Sequence, residues 1–233
     1  MAAIRRGGGT LAFLGGGEWR DGCRDLDAEL IAASAAKEVV VIPAAAAYEH
    51  PERVAGRASA YFESLGIKAL TLPVIHRPEA DDPKNAEVAR RAKFLYLCDG
   101  SPLHLRSVLK GSALFDAMLA AYHGGASFAA SGAGATLIGD PMIDPRGGAY
   151  TVGLGVVPNL AVFPYHGTAA GHLRERSIDL LPANAKLVGI DEETALVRDR
   201  DGTWRVAGVG GVSVYEGRTS RTYTSGDVVT VLG

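Results

Sequence analysis

The most constraining stretch of this sequence is residues 128–139, which read FAASGAGATLIG. It begins as an apolar strand pattern, passes through small residues only, and resumes as a short helix pattern. That order is typical of a nucleophile elbow, a strand-to-helix turn so sharp that the residues around its apex must be small. An elbow lifts one side chain out of a sheet beside a helix N-terminus, whose amides can stabilise an oxyanion.

Two registers of this elbow fit the sequence. With either Gly132 or Ser131 at the apex, the residues two positions before and two positions after are alanine or glycine. Only the second register presents a nucleophile. Both stay open at this point, and the function of the chain depends on the choice.

Strand and helix patterns alternate along the first 180 residues. Apolar runs predict strands at 10–14, 39–43, 68–74, 94–98, 128–130 and 160–165, and helical periodicity predicts helices at 25–36, 51–65, 82–92, 102–110, 112–123 and 172–181. This alternation predicts an α/β fold with a mostly parallel central sheet covered by helices on both faces. Ligands bind such sheets at the carboxyl ends of the strands. We therefore expect residues 15–18, 43–47, 99–102 and 131–134 to share one crevice.

The last fifty residues change character. Short strands are predicted at 186–190, 194–198, 204–209, 212–215 and 228–232, separated by turn pairs such as Asp201-Gly202 and Glu216-Gly217. Such pairs favour antiparallel hairpins that continue the sheet. With no linker or internal repeat in the sequence, we predict one domain over residues 1–233.

Composition excludes several classes of partner. The net charge is −2 without a block of lysine or arginine, which argues against nucleic acid and anionic membranes. Cys23 and Cys98 show no metal-ligand spacing, so we expect two reduced thiols and neither metal nor cofactor. Residues 1–9 contain no apolar run typical of a signal peptide, and no segment approaches the ~20 apolar residues of a membrane span. These features predict a cytoplasmic protein.

The glycine loop at residues 15–18 reads GGGE. It follows the first strand, but it lacks the GxGxxG spacing and the later acidic residue of a dinucleotide site. A tight turn lining a pocket is the favoured interpretation. Glu18, at the end of this loop, either contacts a ligand amine or caps the segment that follows.

Several segments in the same order carry a family resemblance: the GGGE loop at 15–18, YFESLG at 61–66, GLG at 153–155, GIDEETAL at 189–196 and GVSVY at 211–215. Together they resemble the family of serine peptidases that includes dipeptidase E and cyanophycinase. The resemblance implies a three-layer α/β sandwich related to class I glutamine amidotransferases. Compact domains of this type often form two-fold dimers, so a homodimer is expected.

The catalytic signature departs from that family. The resemblance places the family's nucleophile on Gly132, which has no side chain to attack a carbonyl. The family's oxyanion loop becomes Asp99-Gly100-Ser101-Pro102, where a carboxylate replaces a glycine. An anion facing inward there would oppose a developing oxyanion. His166 best matches the family's histidine, although alignment on Pro164 would place Tyr165 there instead.

Two hypotheses follow. The favoured one is a degenerate relative without peptidase activity that keeps a crevice for a small-molecule or peptide ligand. The alternative is an active hydrolase of peptides or amides, with Ser131 as a displaced nucleophile and His166 as its base. Its oxyanion donors would be the amides of Gly100 and of Gly132 or Ala133. The acids that could orient the histidine are Asp191, Glu192 and Asp140, while Asp99, Ser101 and Glu18 complete the expected ligand-binding set.

Overall fold

The computed structural model describes residues 8–169 and 171–232. Residues 1–7, which belong to the segment inspected for a signal peptide, lie outside the described residues. The strands are β1 (Leu11–Leu14), β2 (Glu38–Ile42), β3 (Lys68–Thr71), β4 (Phe94–Leu97), β5 (Ser127–Ser131), β6 (Gly139–Asp140), β7 (Met142–Ile143), β8 (Tyr150–Thr151), β9 (Val157–Pro158), β10 (Leu160–Phe163), β11 (Lys186–Ile190), β12 (Thr194–Arg198), β13 (Trp204–Gly208), β14 (Gly211–Glu216) and β15 (Thr219–Thr224). The α-helices are α1 (Arg24–Ser34), α2 (Pro51–Ser64), α3 (Arg77–Ala80), α4 (Pro83–Arg91), α5 (Pro102–Leu109), α6 (Ala113–His123), α7 (Ala133–Ile138) and α8 (Gly171–Asp179).

A seven-stranded sheet forms the middle layer, in the order β13-β12-β1-β5-β4-β2-β3. Its strands β1, β5, β4, β2 and β3 are parallel, and β12 and β13 extend it in antiparallel pairing. Alternate residues of β1 serve different cores: Phe13 belongs to one apolar cluster, and Leu14 to the other. The sheet is therefore buried on both faces, as continuous apolar strands require. The predicted α/β sandwich with a mostly parallel central sheet is confirmed.

A second sheet has the order β15-β14-β11-β10-β6-β9. The expectation that all carboxy-terminal hairpins continue the central sheet was therefore wrong in part. Only β12 and β13 do so, because β11 pairs in parallel with β10 and then recruits β14 and β15. The strand that leads to His166 consequently belongs to the second sheet.

Two predictions near the carboxyl end also need correction. In place of a strand at 228–232, Val228 forms one isolated bridge to Arg205, and Thr230–Leu232 is a short 3-10 helix. The strand β15 was missed because five of its six side chains are exposed and only Tyr223 is buried, so it lacks apolar alternation.

The elbow occupies the predicted place. Strand β5 lies between β1 and β4 and is parallel to both, which confirms the expected central parallel strand. Helix α7, buried along its whole length, starts one residue after Gly132. Gly132 itself has φ +48° and ψ −106°, a strained conformation that confirms the sharp turn. None of the helices in the described residues is long and apolar enough to cross a membrane.

Candidate functional site

Gly132 stands at the apex of the elbow. A Cβ atom added to it would overlap the carboxylate of Asp99, so the side-chain direction at this position faces the crevice. Ser131 points to the opposite side: it is fully buried, and its Oγ donates a hydrogen bond to Oε2 of Glu18 at 2.7 Å. The register with Gly132 at the apex is the one that the chain adopts.

The Asp99 carboxylate fills the space in front of the apex. Its Oδ1 accepts hydrogen bonds from the backbone N–H groups of Gly100 and Ala133, both at 2.7 Å. Its Oδ2 accepts a hydrogen bond from the hydroxyl of Tyr165. Of the three amides considered as oxyanion donors, those of Gly100 and Ala133 therefore already bind a carboxylate supplied by the chain, and that of Gly132 donates to the carbonyl of Leu14.

The loop that carries Asp99 has little freedom to move. Gly100 has φ +141°, and a Cβ there would overlap the backbone carbonyl of Ala45. The backbone N–H of Ser101 donates to that same carbonyl at 2.8 Å, while its side chain accepts from the N–H of His104 at the start of α5. Ser101 thus acts as a helix cap that shapes the loop, and it does not line the pocket described below.

Glu18 lies behind the elbow. Besides binding Ser131, its carboxyl accepts a weak hydrogen bond from the backbone N–H of Asp99 at 3.3 Å. Burial raises the pKa of Glu18, and the neighbouring charge of Asp99 raises it further. Only 7% of the surface of Glu18 is exposed, and the residue is absent from the lining of the pocket. Its hydrogen bonds to Ser131 and Asp99 therefore support the elbow from the side away from the pocket.

Tyr165 and His166 diverge although they are adjacent in sequence. Tyr165 adopts φ +55°, its N–H donates to the carbonyl of Gly15, and its hydroxyl reaches Asp99. His166 turns away toward the second sheet, where its Nε2 lies 2.7 Å from the hydroxyl of Tyr215. The pairing of Ser131 with His166 is thus not supported: within the described parts of the chain no hydrogen bond joins them, because the serine is committed to Glu18.

Of the three acids considered for orienting the histidine, only Asp191 meets it. Its Oδ1 lies 3.5 Å from Nδ1 of His166, and its Oδ2 accepts from the N–H of Gly211. Asp140 instead accepts from a backbone N–H at Gly153, and Glu192 binds Arg20 at the surface. Burial lowers the pKa of His166, while the charge of Asp191 partly opposes that shift.

A pocket of about 230 Å³ opens in front of Asp99. Its lining is Asp99, Gly100, Pro102, Ala133, Thr136, Ile143, Asp144, Pro145, Gly148, Phe163, Pro164, Tyr165, Ala169 and Leu173. Sequence reasoning missed the residues between 143 and 148, because the flanking strands are only two residues long and carry no readable period. The described residues contain no group of three histidine, cysteine or acidic side chains arranged to hold a metal ion.

The parallel sheet, the strand–elbow–helix step and the crevice at the strand ends are the features of an α/β protein built around a nucleophile elbow. The model of peptidase family S51 matches residues 11–205, and the chain belongs to that family.

Individual relatives agree with this assignment. The chain is 28% identical over 203 residues to a cyanophycinase from Nostoc sp., and 26% identical over 205 residues to one from Geminocystis herdmanii. These matches cover 80% of this chain, but 65% of the Nostoc protein and 72% of the Geminocystis protein. A peptidase from an acI-B1 actinobacterium superposes with a TM-score of 0.87 at 26% identity, covering 96% of this chain and 97% of that one.

Proposed function

We propose that this chain is a non-catalytic member of family S51 that keeps the crevice at the elbow and binds a small ligand there. The observation that carries the proposal is the position of the Asp99 carboxylate. It accepts from Gly100 and Ala133, and it lies where a side chain at residue 132 would stand.

Hydrolysis of an amide by a serine peptidase needs two N–H groups free to bind the oxyanion that develops on the carbonyl. In this chain those donors are already engaged by a carboxylate at 2.7 Å each. A substrate oxygen would have to displace that carboxylate and would then develop negative charge beside it. Both effects raise the activation barrier of amide hydrolysis, because the negative charge of Asp99 repels the negative charge that develops on the substrate oxygen.

At the apex of the elbow the structure has neither a nucleophile nor a base. Gly132 offers no side-chain atom at the apex, and Ser131 is buried against the carboxyl of Glu18. A serine hydroxyl is a weak nucleophile unless a base removes its proton. The contact between Ser131 and Glu18 lies behind the elbow, and neither residue lines the pocket, so a proton transfer there would activate no group that faces a ligand. Tyr165, which faces Asp99, has a pKa raised by burial and by that carboxylate, so it keeps its proton.

Labelling with a fluorophosphonate probe tests the proposal directly. The wild-type chain should stay unlabelled under conditions that label a known serine hydrolase to completion. It should also show no turnover of acidic dipeptides or β-aspartyl peptides above a buffer blank. The matched control is Ser131→Ala, which should behave as the wild type does in both assays.

Stoichiometric labelling at Ser131, abolished by Ser131→Ala and slowed by His166→Ala, would overturn the proposal. It would establish the alternative in which Ser131 is a displaced nucleophile and His166 its base. That outcome requires both side chains to leave the contacts that they make in this structure.

A further inference from the structure

The pocket in front of Asp99 combines apolar walls with an anionic floor. Its walls include Ile143, Phe163, Pro164 and Leu173, and its lining contains no lysine, arginine or histidine. Within residues 8–169 and 171–232, the Asp99 carboxylate forms no ion pair with a cationic side chain. An unpaired carboxylate at the base of an apolar pocket attracts a cation that can bring its own apolar body.

We propose that this pocket binds a small primary amine, with its ammonium group on Asp99 and Tyr165 and its apolar body against the walls of the pocket. The inference rests on the proposed function and names the ligand class that the vacated peptidase site accepts. The volume of about 230 Å³ leaves room for the short apolar chain of such an amine.

The acceptors for an ammonium group are already oriented. Oδ1 of Asp99 is held by two backbone N–H groups, which fixes the plane of the carboxylate. The hydroxyl of Tyr165 donates its only proton to Oδ2, so the lone pairs of the phenolic oxygen are free to accept. An ammonium group carries three N–H donors and can bind Oδ2 and the tyrosine oxygen together.

A second acid in the lining supplies an internal contrast. Asp144 is bound by the backbone N–H, Nε and Nη2 of Arg146, the last at 2.6 Å, and this arginine lowers the pKa of Asp144. Its charge is therefore neutralised by a neighbour from the same loop. Asp99 has hydrogen-bond donors but no such cation, so selectivity for an amine should depend on Asp99 and not on Asp144.

The test uses three ligands that share one carbon skeleton: 3-methylbutan-1-amine, 3-methylbutan-1-ol and 3-methylbutanoate. Calorimetric titration of the full chain at neutral pH gives their dissociation constants, and the backbone amide signals of Gly100 and Ala133 report where they bind. We expect the amine to bind about tenfold or more tightly than the alcohol, since a charged hydrogen bond is lost in the alcohol. The carboxylate should not bind.

Two variants of matched size locate the charge that is recognised. Asp99→Asn keeps the acceptor for Gly100 and Ala133 and should reduce affinity for the amine to that for the alcohol. Asp144→Asn should change it less than about threefold, because Arg146 already neutralises that carboxylate.

Equal binding of the three ligands, no binding by the amine, or an undiminished amine affinity in Asp99→Asn would each overturn the inference. The comparison of the three ligands on the wild-type chain decides the question even if Asp99→Asn fails to fold. Failure of the proposed function has a different signature, namely labelling or turnover by the unmodified chain. Loss of the amine preference without labelling would remove only this inference.

Discussion

A serine peptidase holds its elbow, its oxyanion amides and its histidine–acid pair in one site, whereas this chain has them in two regions. The first, which we call the elbow centre, consists of Asp99, Gly132 and Tyr165. The second, the histidine cluster, consists of His166, Asp191 and Tyr215. The elbow centre has the strained turn and the converging amides but no nucleophile, whereas the histidine cluster has an imidazole beside a carboxylate but no elbow.

The difference shows that the scaffold and the reactive groups of a site can separate within one fold. Tyr165 and His166 are neighbours in sequence, yet one enters the elbow centre and the other the histidine cluster. Catalysis by a triad depends on hydrogen-bond distances between its members, and in this structure the imidazole of His166 is hydrogen-bonded within its own cluster instead.

The largest expected effect comes from rebuilding the elbow centre. The double variant Gly132→Ser with Asp99→Gly restores a hydroxyl and frees two amides, but it should show little turnover of acidic dipeptides because no base faces the serine. Adding Tyr165→His places an imidazole at the residue whose hydroxyl contacts Asp99 in front of the apex. We expect the triple variant to exceed the double variant by about 100-fold or more in kcat/KM.

The control for that experiment is the triple variant with His166→Gln, which should retain the gained activity. Substantial turnover by the double variant would contradict the separation of the elbow centre from the histidine cluster, since it would show that His166 moves from its cluster to the elbow. Loss of the gained activity in the His166→Gln background would lead to the same conclusion.

The next largest effect is the loss of folding stability caused by a serine at position 132 alone. Gly132→Ser should lower the free energy of unfolding by roughly 2–4 kcal/mol, because the positive φ is strained and the Asp99 carboxylate must give up hydrogen bonds. Gly217→Ser is the matched control: Gly217 has φ +59° but open space around it, so only about 1 kcal/mol should be lost. Urea denaturation measures both.

The clash can be isolated by combining Gly132→Ser with Asp99→Gly. Relative to Asp99→Gly alone, the serine should then cost no more than Gly217→Ser does. An undiminished cost would mean that Asp99 is not the group that opposes a side chain at the apex.

A smaller difference in folding stability is expected between variants of Tyr165 and Tyr215. Tyr165→Phe removes a hydroxyl that donates to a carboxylate and should cost about 1–2 kcal/mol of unfolding free energy. Tyr215→Phe removes a hydroxyl that contacts an imidazole and should cost about 0.5–1 kcal/mol. Denaturation of the two variants in parallel tests the order, and a larger loss for Tyr215→Phe would place the stronger polar contact in the histidine cluster.

The smallest effect concerns the protonation of His166. Burial lowers its pKa below the ordinary value of 6.5, so the folded chain binds fewer protons there than the unfolded chain. This contribution to stability is present above pH 6.5 and is lost as the pH falls toward the folded pKa. NMR titration of the imidazole should show the low pKa.

Two neighbours shift that titration in opposite directions. Asp191→Asn should lower the pKa of His166 further, because Asp191 favours the charged imidazole, and Arg174→Gln should raise it. Equal titration curves in the wild type and in Asp191→Asn would show that the charge of Asp191 does not affect the protonation of His166.

The elbow and the parallel sheet could be predicted from the sequence because each depends on local signals. Small residues around Gly132 and continuous apolar strands such as β4 are such signals. The separation of Tyr165 from His166 could not be predicted, because it depends on one residue with positive φ and on which sheet receives β10. The inward orientation of Asp99 depends likewise on contacts from residues distant in sequence. A single domain, a homodimer and a cytoplasmic location stay predictions.

The overlap between the Asp99 carboxylate and the side-chain direction at residue 132 also couples these two positions of the sequence. One volume can hold a serine side chain or that carboxylate, but not both. A serine at position 132 therefore requires the carboxylate of residue 99 to move or to be replaced, and loss of Asp99 alone leaves the elbow without a nucleophile. The residues that the fold accepts at positions 99 and 132 therefore depend on each other.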